Sequence, residues 1–192
     1  IKQNALSREK IVFSIYQIAE GMKYMHFKKI IHKNLKPTNI LIASDGTIKI
    51  TDFESSKLMS LNDCSIFGGY SMQKYMAPEI INEDENYDEK VDVYSFGVII
   101  FFALTGGQVP KIKICDIFKG KKAGIPSSFT SFAKDTINQC WNYEPSDRPS
   151  FHKILDQMAL NHYHFLDLSE TETSNVESMI NRHKQRISQY TD

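Results

Sequence analysis

The sequence predicts a mainly α-helical domain carrying one small β-hairpin, and three observations lead to that class. Ile11, Ile15, Ile18, Ala19, Met22 and Met25 recur at three- and four-residue intervals, with Glu9, Lys10, Gln17 and Lys23 between them. This is the pattern of an amphipathic helix, with Ser7 placed to cap its N-terminus. Phe96 to Leu104 is the longest apolar run, and a helix that is apolar all round is a buried one. Between these two, Ile40-Leu41-Ile42 and Ile48-Lys49-Ile50 flank Ser44-Asp45-Gly46. The Asp-Gly pair supplies the positive φ that a tight hairpin turn needs.

Composition bounds the class further. At 192 residues and 41% hydrophobic content, the chain is long enough for one domain with a substantial core. Lys plus Arg equals Asp plus Glu at 23 each, so no global field draws the chain to nucleic acid or to an anionic membrane. Partners are decided locally. Cys64, Cys115 and Cys140 are scattered, without the paired spacing of a zinc site or an even-numbered disulfide framework, and so read as reduced intracellular thiols. The apolar run falls far short of the ~18 residues of a membrane span, and no secretory leader opens the chain. A soluble, cytoplasmic protein is expected. The chain starts at Ile1 rather than Met, which reads as a fragment or a mispredicted reading frame.

In chain order, the first helix is expected to end before a turn at His26 to Lys29. It feeds an apolar pair, Ile30-Ile31, then the polar stretch His32-Lys33-Asn34-Leu35-Lys36-Pro37-Thr38-Asn39, then the first hairpin strand. A rigid scaffold presents a functional loop in this way. The hairpin returns Thr51-Asp52-Phe53-Glu54 to the same side. Downstream come Tyr75-Met76-Ala77-Pro78-Glu79, then Asp92-Val93-Tyr94-Ser95-Phe96-Gly97, then Cys140-Trp141 with Pro145 and Arg148-Pro149-Ser150-Phe151. Cys115 to Phe118, with Phe129, Phe132, Ile137 and Trp141, reads as core. Lys111, Lys113, Lys119, Lys121 and Lys122 cluster around Gly120 and read first as a solvated face, with a peptide- or nucleic-acid-binding patch as the alternative. Leu168 to Asn175 is acidic and rich in Ser and Thr, a linker. Ser174-x-x-Glu177 then reads as a capping box opening a short helix with Val176, Ile180 and Ile187 on one side, which docks weakly or binds a partner. The expected division is therefore 1–160 and 161–192.

These motifs, in this order, resemble those of protein kinases. The loop is similar to the catalytic loop His-Arg-Asp-Leu-x-x-x-Asn, Asp52-Phe53 to the Asp-Phe-Gly motif, and Ala77-Pro78-Glu79 to the close of the activation segment. The resemblance implies a protein-kinase-like fold, the C-terminal (large) lobe only, with a catalytic loop at 32–39 and an activation segment at 52–79. No glycine-rich loop, strand lysine or partner glutamate precedes it. Lys36 is the serine/threonine choice, whereas Cys140-Trp141 and Arg148-Pro149-Ser150-Phe151 are shared by tyrosine kinases and the tyrosine-kinase-like group, so together they point to the latter group. The resemblance also implies roles. Asn39 and Asp52 would hold magnesium through oxygen atoms. Lys36 would neutralise charge on the transferring phosphoryl group. His32 and Phe53 would pack under the site, Asp92 would hold the loop backbone, and Glu79 would pair with Arg148 as a buried strut. The implied cofactor is Mg-ATP, bound when an N-terminal lobe is present. The implied partner is a protein, as substrate or as binding partner, and not a nucleic acid.

The departures fall on the chemistry. Asn34 stands at the base position, and an amide can orient a substrate hydroxyl but is too weakly basic to take its proton, a contribution typically worth about 10²–10⁴-fold. Glu54 replaces the glycine of Asp-Phe-Gly, removing backbone freedom at positive φ and adding negative charge. Met72 falls where serine/threonine kinases place a bridging Thr, although a shifted loop would let Ser71 serve. Lys33 keeps the charge of the usual Arg without its fork. Ser60, Ser65, Tyr70 and Ser71 are candidate phosphosites in a segment that otherwise reads as a solvated loop. The expectation is an impaired or inactive pseudokinase acting as a scaffold or allosteric partner. A weakly active serine/threonine kinase and a truncated product without independent activity are the alternatives. A nucleotide of this family sits between two lobes, so the 192-residue chain alone is expected to bind Mg-ATP poorly. In a thermal-shift titration with millimolar Mg-ATP, it should not show the stabilisation of about 2.7 kcal/mol that a ligand at 100 times its Kd confers.

Overall fold

A computed structural model describes residues 6–52, 57–58, 73–82, 84 and 86–189. Phe53, Glu54, Cys64, Met72 and the four candidate phosphosites lie outside the described residues, as does most of the segment between Asp52 and Gln73. Helix α1 spans Arg8–Phe27, and the Ser7 hydroxyl accepts the Lys10 N–H at its start. Strand β1 (Ile30–Ile31) is followed by a 3₁₀ turn at Pro37–Asn39 and by β2 (Ile40–Ile42), β3 (Ile48–Ile50) and β4 (Lys57–Leu58). The helices that follow are α2 (Pro78–Ile81), α3 (Lys90–Leu104), α4 (Ile114–Ile117), α5 (Ser131–Cys140), α6 (Phe151–Leu160) and α7 (Glu170–Ser188). Among the described residues the strands form two antiparallel pairs, β2 with β3 and β1 with β4. Gly46 takes φ +81° at the β2–β3 turn, the conformation for which Asp-Gly is suited.

The core is built on α3. Every residue from Val91 to Phe101 is buried, because α3 is flanked by α1 and α5 and meets the 3₁₀ turn at Gln73–Tyr75. Helix α1 in turn carries α6 and α7 on its other faces. Gly97 is the point of closest approach between α3 and the end of α5. A Cβ there would stand 2.8 Å from both Cys140 Cβ and Trp141 Nε1. Cys140 is fully buried there, and burial pushes its thiol up to about 12.

Four readings change. Helix α1 runs through Phe27, two residues into the turn expected at His26 to Lys29, because the Lys28 N–H still bonds back to the Tyr24 carbonyl and the His26 ring is anchored on Asp92. The reversal falls instead at Lys29, with φ +60°. Gln17, expected on the polar face, is only 5% exposed. Its amide bonds the Gly46 carbonyl and the Ile48 N–H, both at 3.1 Å, stitching α1 to the hairpin. Of the stretch Cys115 to Phe118, only Ile117 is buried, and Cys115 and Phe118 are exposed, since α4 is a single turn with one face to cover. The C-terminal helix begins at Glu170, and its capping box is Ser169 with Glu172 rather than Ser174 with Glu177.

That last shift has a packing cause. Arg8 lies against Glu172 at 3.6 Å and donates to the Asp167 carbonyl, holding the start of α7 on the start of α1. The acidic stretch expected as a linker forms the first turns of a helix, where negative charge suits the N-terminal dipole. Glu177 instead faces His162 at 3.3 Å. The helix is 19 residues long and buries Val176 and Ile180, while Ile187 is 38% exposed. His183 lies 3.0 Å from Glu20 on α1, and Arg186 reaches Asp45 and Thr47 at the hairpin turn.

Gly97→Ala tests the α3 packing. Overpacking of about 1–3 kcal/mol should outweigh the ~1 kcal/mol that Ala gains over Gly in a helix, so the urea midpoint should fall.

Candidate active site

The loop between β1 and β2 is held from below by the first turn of α3. Asp92 is fully buried, and its two carboxylate oxygens accept the backbone N–H groups of His32 and Lys33, each at 2.8 Å. The oxygen that bonds the His32 amide also meets His26 Nε2 at 2.9 Å. With both amides pinned, Lys33 is forced to φ +64°, a region costly for a residue with a Cβ. Its ammonium sits 4.9 Å from the centre of the Tyr87 ring, a cation–π contact.

His32 is the next tie. The ring is fully buried; its Nδ1 accepts the Asn34 N–H at 3.2 Å, so Nε2 carries the proton and donates to the Thr51 carbonyl at 3.0 Å. One imidazole thus couples the loop to the strand end that delivers Asp52. Thr51 closes the link, its N–H and hydroxyl both bonding the Asn39 carbonyl. Pro37 opens the 3₁₀ turn at a position whose N–H would have no partner, and this turn brings Asn39 back under Asn34.

The result is a cluster of three side chains. Asp52, at φ +70°, accepts on a single oxygen from Asn34 Nδ2 at 2.6 Å and from Asn39 Nδ2 at 2.9 Å. Asn39 also donates to the Asn34 carbonyl at 2.8 Å, and its own amide oxygen faces the Thr38 hydroxyl. Lys36, half-buried and on extended backbone, precedes the 3₁₀ turn, and its carbonyl accepts the Asn39 N–H at 2.9 Å. Of the expected site residues, Asn34, Asn39 and Asp52 are brought into contact, with His32 and Asp92 beneath them. The residue types, a carboxylate and an amide, suit a hard divalent cation, which takes one or two carboxylates from a protein and leaves the rest to water and phosphate, while in the structure Asn39 turns its Nδ2 toward Asp52 and its oxygen toward Thr38.

A second anchor lies away from the loop. Arg148 is 1% exposed and meets Glu79 as a fork, Nη1 to Oε1 at 2.5 Å and Nη2 to Oε2 at 2.8 Å. Its remaining donors go to the carbonyls of Lys90, Asn142 and Tyr143. The Arg148 Cζ stands over the Tyr94 ring, 5.2 Å from its centre, and burial raises the Tyr94 hydroxyl to about 12. Ser95 adds a bond to the Tyr75 carbonyl at 2.7 Å. These ties fasten the end of the 52–79 segment to α3. Sequence reasoning missed Gln17, His26 and Tyr87 as supports, since each is an ordinary polar or aromatic residue until the fold supplies its partner.

The protein kinase domain family matches residues 1–160, and the chain belongs to that family. Among its relatives are mitogen-activated protein kinase kinase kinase 12 of Rattus norvegicus, 41% identical over 146 residues, which are 72% of this chain and 16% of that protein. The kinase dlk-1 of Caenorhabditis briggsae is 34% identical over 178 residues, 89% of this chain and 20% of that protein. The serine/threonine-protein kinase CTR1 of Arabidopsis thaliana is 36% identical over 149 residues, 73% and 18%. The chain spans no more than about a fifth of the length of these relatives. It is a C-terminal kinase lobe of the serine/threonine and tyrosine-kinase-like kind, and no helix among the described residues is long and apolar enough to cross a membrane.

Arg148→Ala would leave the buried Glu79 carboxylate unpaired and strip three carbonyls of their donor. The expected cost is roughly 3–5 kcal/mol, read from chemical denaturation, and a cost below about 1 kcal/mol would contradict the buried fork.

Proposed function

We propose that the chain is the large lobe of a serine/threonine protein kinase whose phosphotransfer is impaired, and that it serves as a protein scaffold or allosteric partner. The observation that carries this reading is the 2.6 Å bond from the Asn34 amide to Asp52. At the base position a carboxylate would accept a hydroxyl proton. The Asn34 amide turns an N–H toward Asp52 and has no basic atom for that task. It also engages the carboxylate that would hold Mg²⁺, so two amides compete for one Asp52 oxygen.

Lys36, Asn39 and Asp52 keep the residue types of the family's motifs. Asn39 and Asp52 would hold the metal of Mg-ATP, and Lys36 would lie along the transferring phosphoryl group; the metal nucleotide supplies the phosphoryl group and screens its charge. What this chain does with a substrate protein is then to orient a serine or threonine hydroxyl beside Asn34 without removing its proton. A loose transition state asks little of the base until late, so the contact kept between Asn39 and Asp52 supports a second reading, a slow kinase.

Phosphate transfer to a generic basic protein, measured for the protein as its gene encodes it, separates the two. Asn34→Asp should raise the rate about 10²–10⁴-fold, because it returns a proton acceptor while leaving Lys36, Asn39 and Asp52 in place. If wild type already matches Asn34→Asp, the slow-kinase reading replaces the impaired one. Absence of transfer by either protein places the defect elsewhere and leaves the scaffold role.

A further inference from the structure

Between α3 and the corner at Cys140–Tyr143, the segment carrying α4 leaves a groove of about 430 Å³. Val98, Ile114, Ile117 and Trp141 form its apolar floor, with Pro78 and Tyr94 at one end. Pro110, Ile112 and Ala123 continue it into an open trough reaching from Gly107 to Gly124. Both are rimmed by Lys74, Lys113, Lys121 and Lys122, and the trough adds Lys111. The volume falls in the range of sites that seat a ligand group, while the open continuation suits an extended chain better than a compact small molecule.

The charge is lopsided although the whole chain is balanced. Among the described lining residues Asp116 is the one carboxylate, and it is bridged to Lys121 at 2.9 Å. The Lys122 ammonium is occupied by the Asn138 carbonyl and Asn142 Oδ1, both at 2.7 Å. Lys74, Lys111 and Lys113 are exposed, and among the described residues no carboxylate lies within ion-pair reach of them. Among the described residues, three cations thus border an apolar slot without a carboxylate partner.

We propose that this groove docks an acidic segment of a partner protein, a peptide that seats one apolar side chain over Trp141 and Ile114 and lays carboxylates along Lys74, Lys111 and Lys113. The buried anchor supplies affinity, and the lysine rim supplies on-rate and selection against basic partners. This goes beyond the reading of the Asn34 site and stands whether or not phosphate is transferred there.

The test is a selection from a randomised peptide library against the full chain, followed by fluorescence polarisation on the enriched peptides. Asp and Glu should be enriched around a Leu, Phe or Trp. Binding should weaken at least tenfold in Lys74→Glu/Lys113→Glu and in Ile112→Asp, and also when salt is raised from about 50 to about 500 mM, where charge interactions are screened within a few ångströms. Lys74→Arg/Lys113→Arg should bind like wild type. A urea midpoint equal to that of wild type certifies each variant, and Lys74→Gln/Lys113→Gln, which also removes the charges, replaces the Glu pair if that pair is unfolded. The proposal is overturned by enrichment of neutral or basic peptides, by failure to select any binder, or by acidic binders indifferent to these substitutions. Tighter binding of a single-stranded RNA oligonucleotide to the same lysines would overturn it as well.

Discussion

A buried carboxylate at the start of the central helix sets the geometry on which the candidate site depends. Asp92 is out of water, and an isolated ionised group there would cost several kcal/mol. Three donors offset that cost, the amides of His32 and Lys33 and the ring of His26, and hydrogen bonds to a charged acceptor are the stronger kind. The first turn of a helix also favours negative charge. Because α3 is buried along its length, Asp92 is rigidly placed, and the loop inherits that position. The positive φ of Lys33 is tolerated for this reason.

From this point the order passes outward through His32. Its proton on Nε2 and its lone pair on Nδ1 are committed to Thr51 and Asn34, so the loop and the strand end cannot move independently. Asn39, Thr51 and Asp52 then close a ring of hydrogen bonds with Asn34. The fork between Arg148 and Glu79 does the same work on the other end of the 52–79 segment. Both devices fasten parts flanking the candidate site to α3, one through a buried anion and one through a buried cation.

The site itself sets Asn34 beside Asn39 and Asp52. Replacing a carboxylate with an amide at Asn34 changes a repulsive neighbour of Asp52 into a hydrogen-bonding one. The three side chains are therefore held together by their own hydrogen bonds, whether or not the site transfers phosphate. The lysine-rimmed groove has the opposite character, with charges and apolar surface that the described fold does not complete.

Periodicity and motif order determined much by themselves: the amphipathic α1, the buried α3, the hairpin with Gly46 at its turn, and the membership of the kinase family. These are local signals, set by which residues must leave water and which backbone angles a residue allows. Where two local signals compete, the sequence could not choose. Ser169 with Glu172 and Ser174 with Glu177 both spell a capping box, and only the contact of Arg8 with Glu172 and the burial of Val176 against α1 select the first. Gln17 reads as polar surface until the hairpin presents Gly46 and Ile48 to its amide. His26 reads as a turn residue until Asp92, 66 positions away, reaches its ring. The tertiary structure decided these because a hydrogen bond or an ion pair depends on what stands opposite, and partners distant in the chain become neighbours only once the helices have packed.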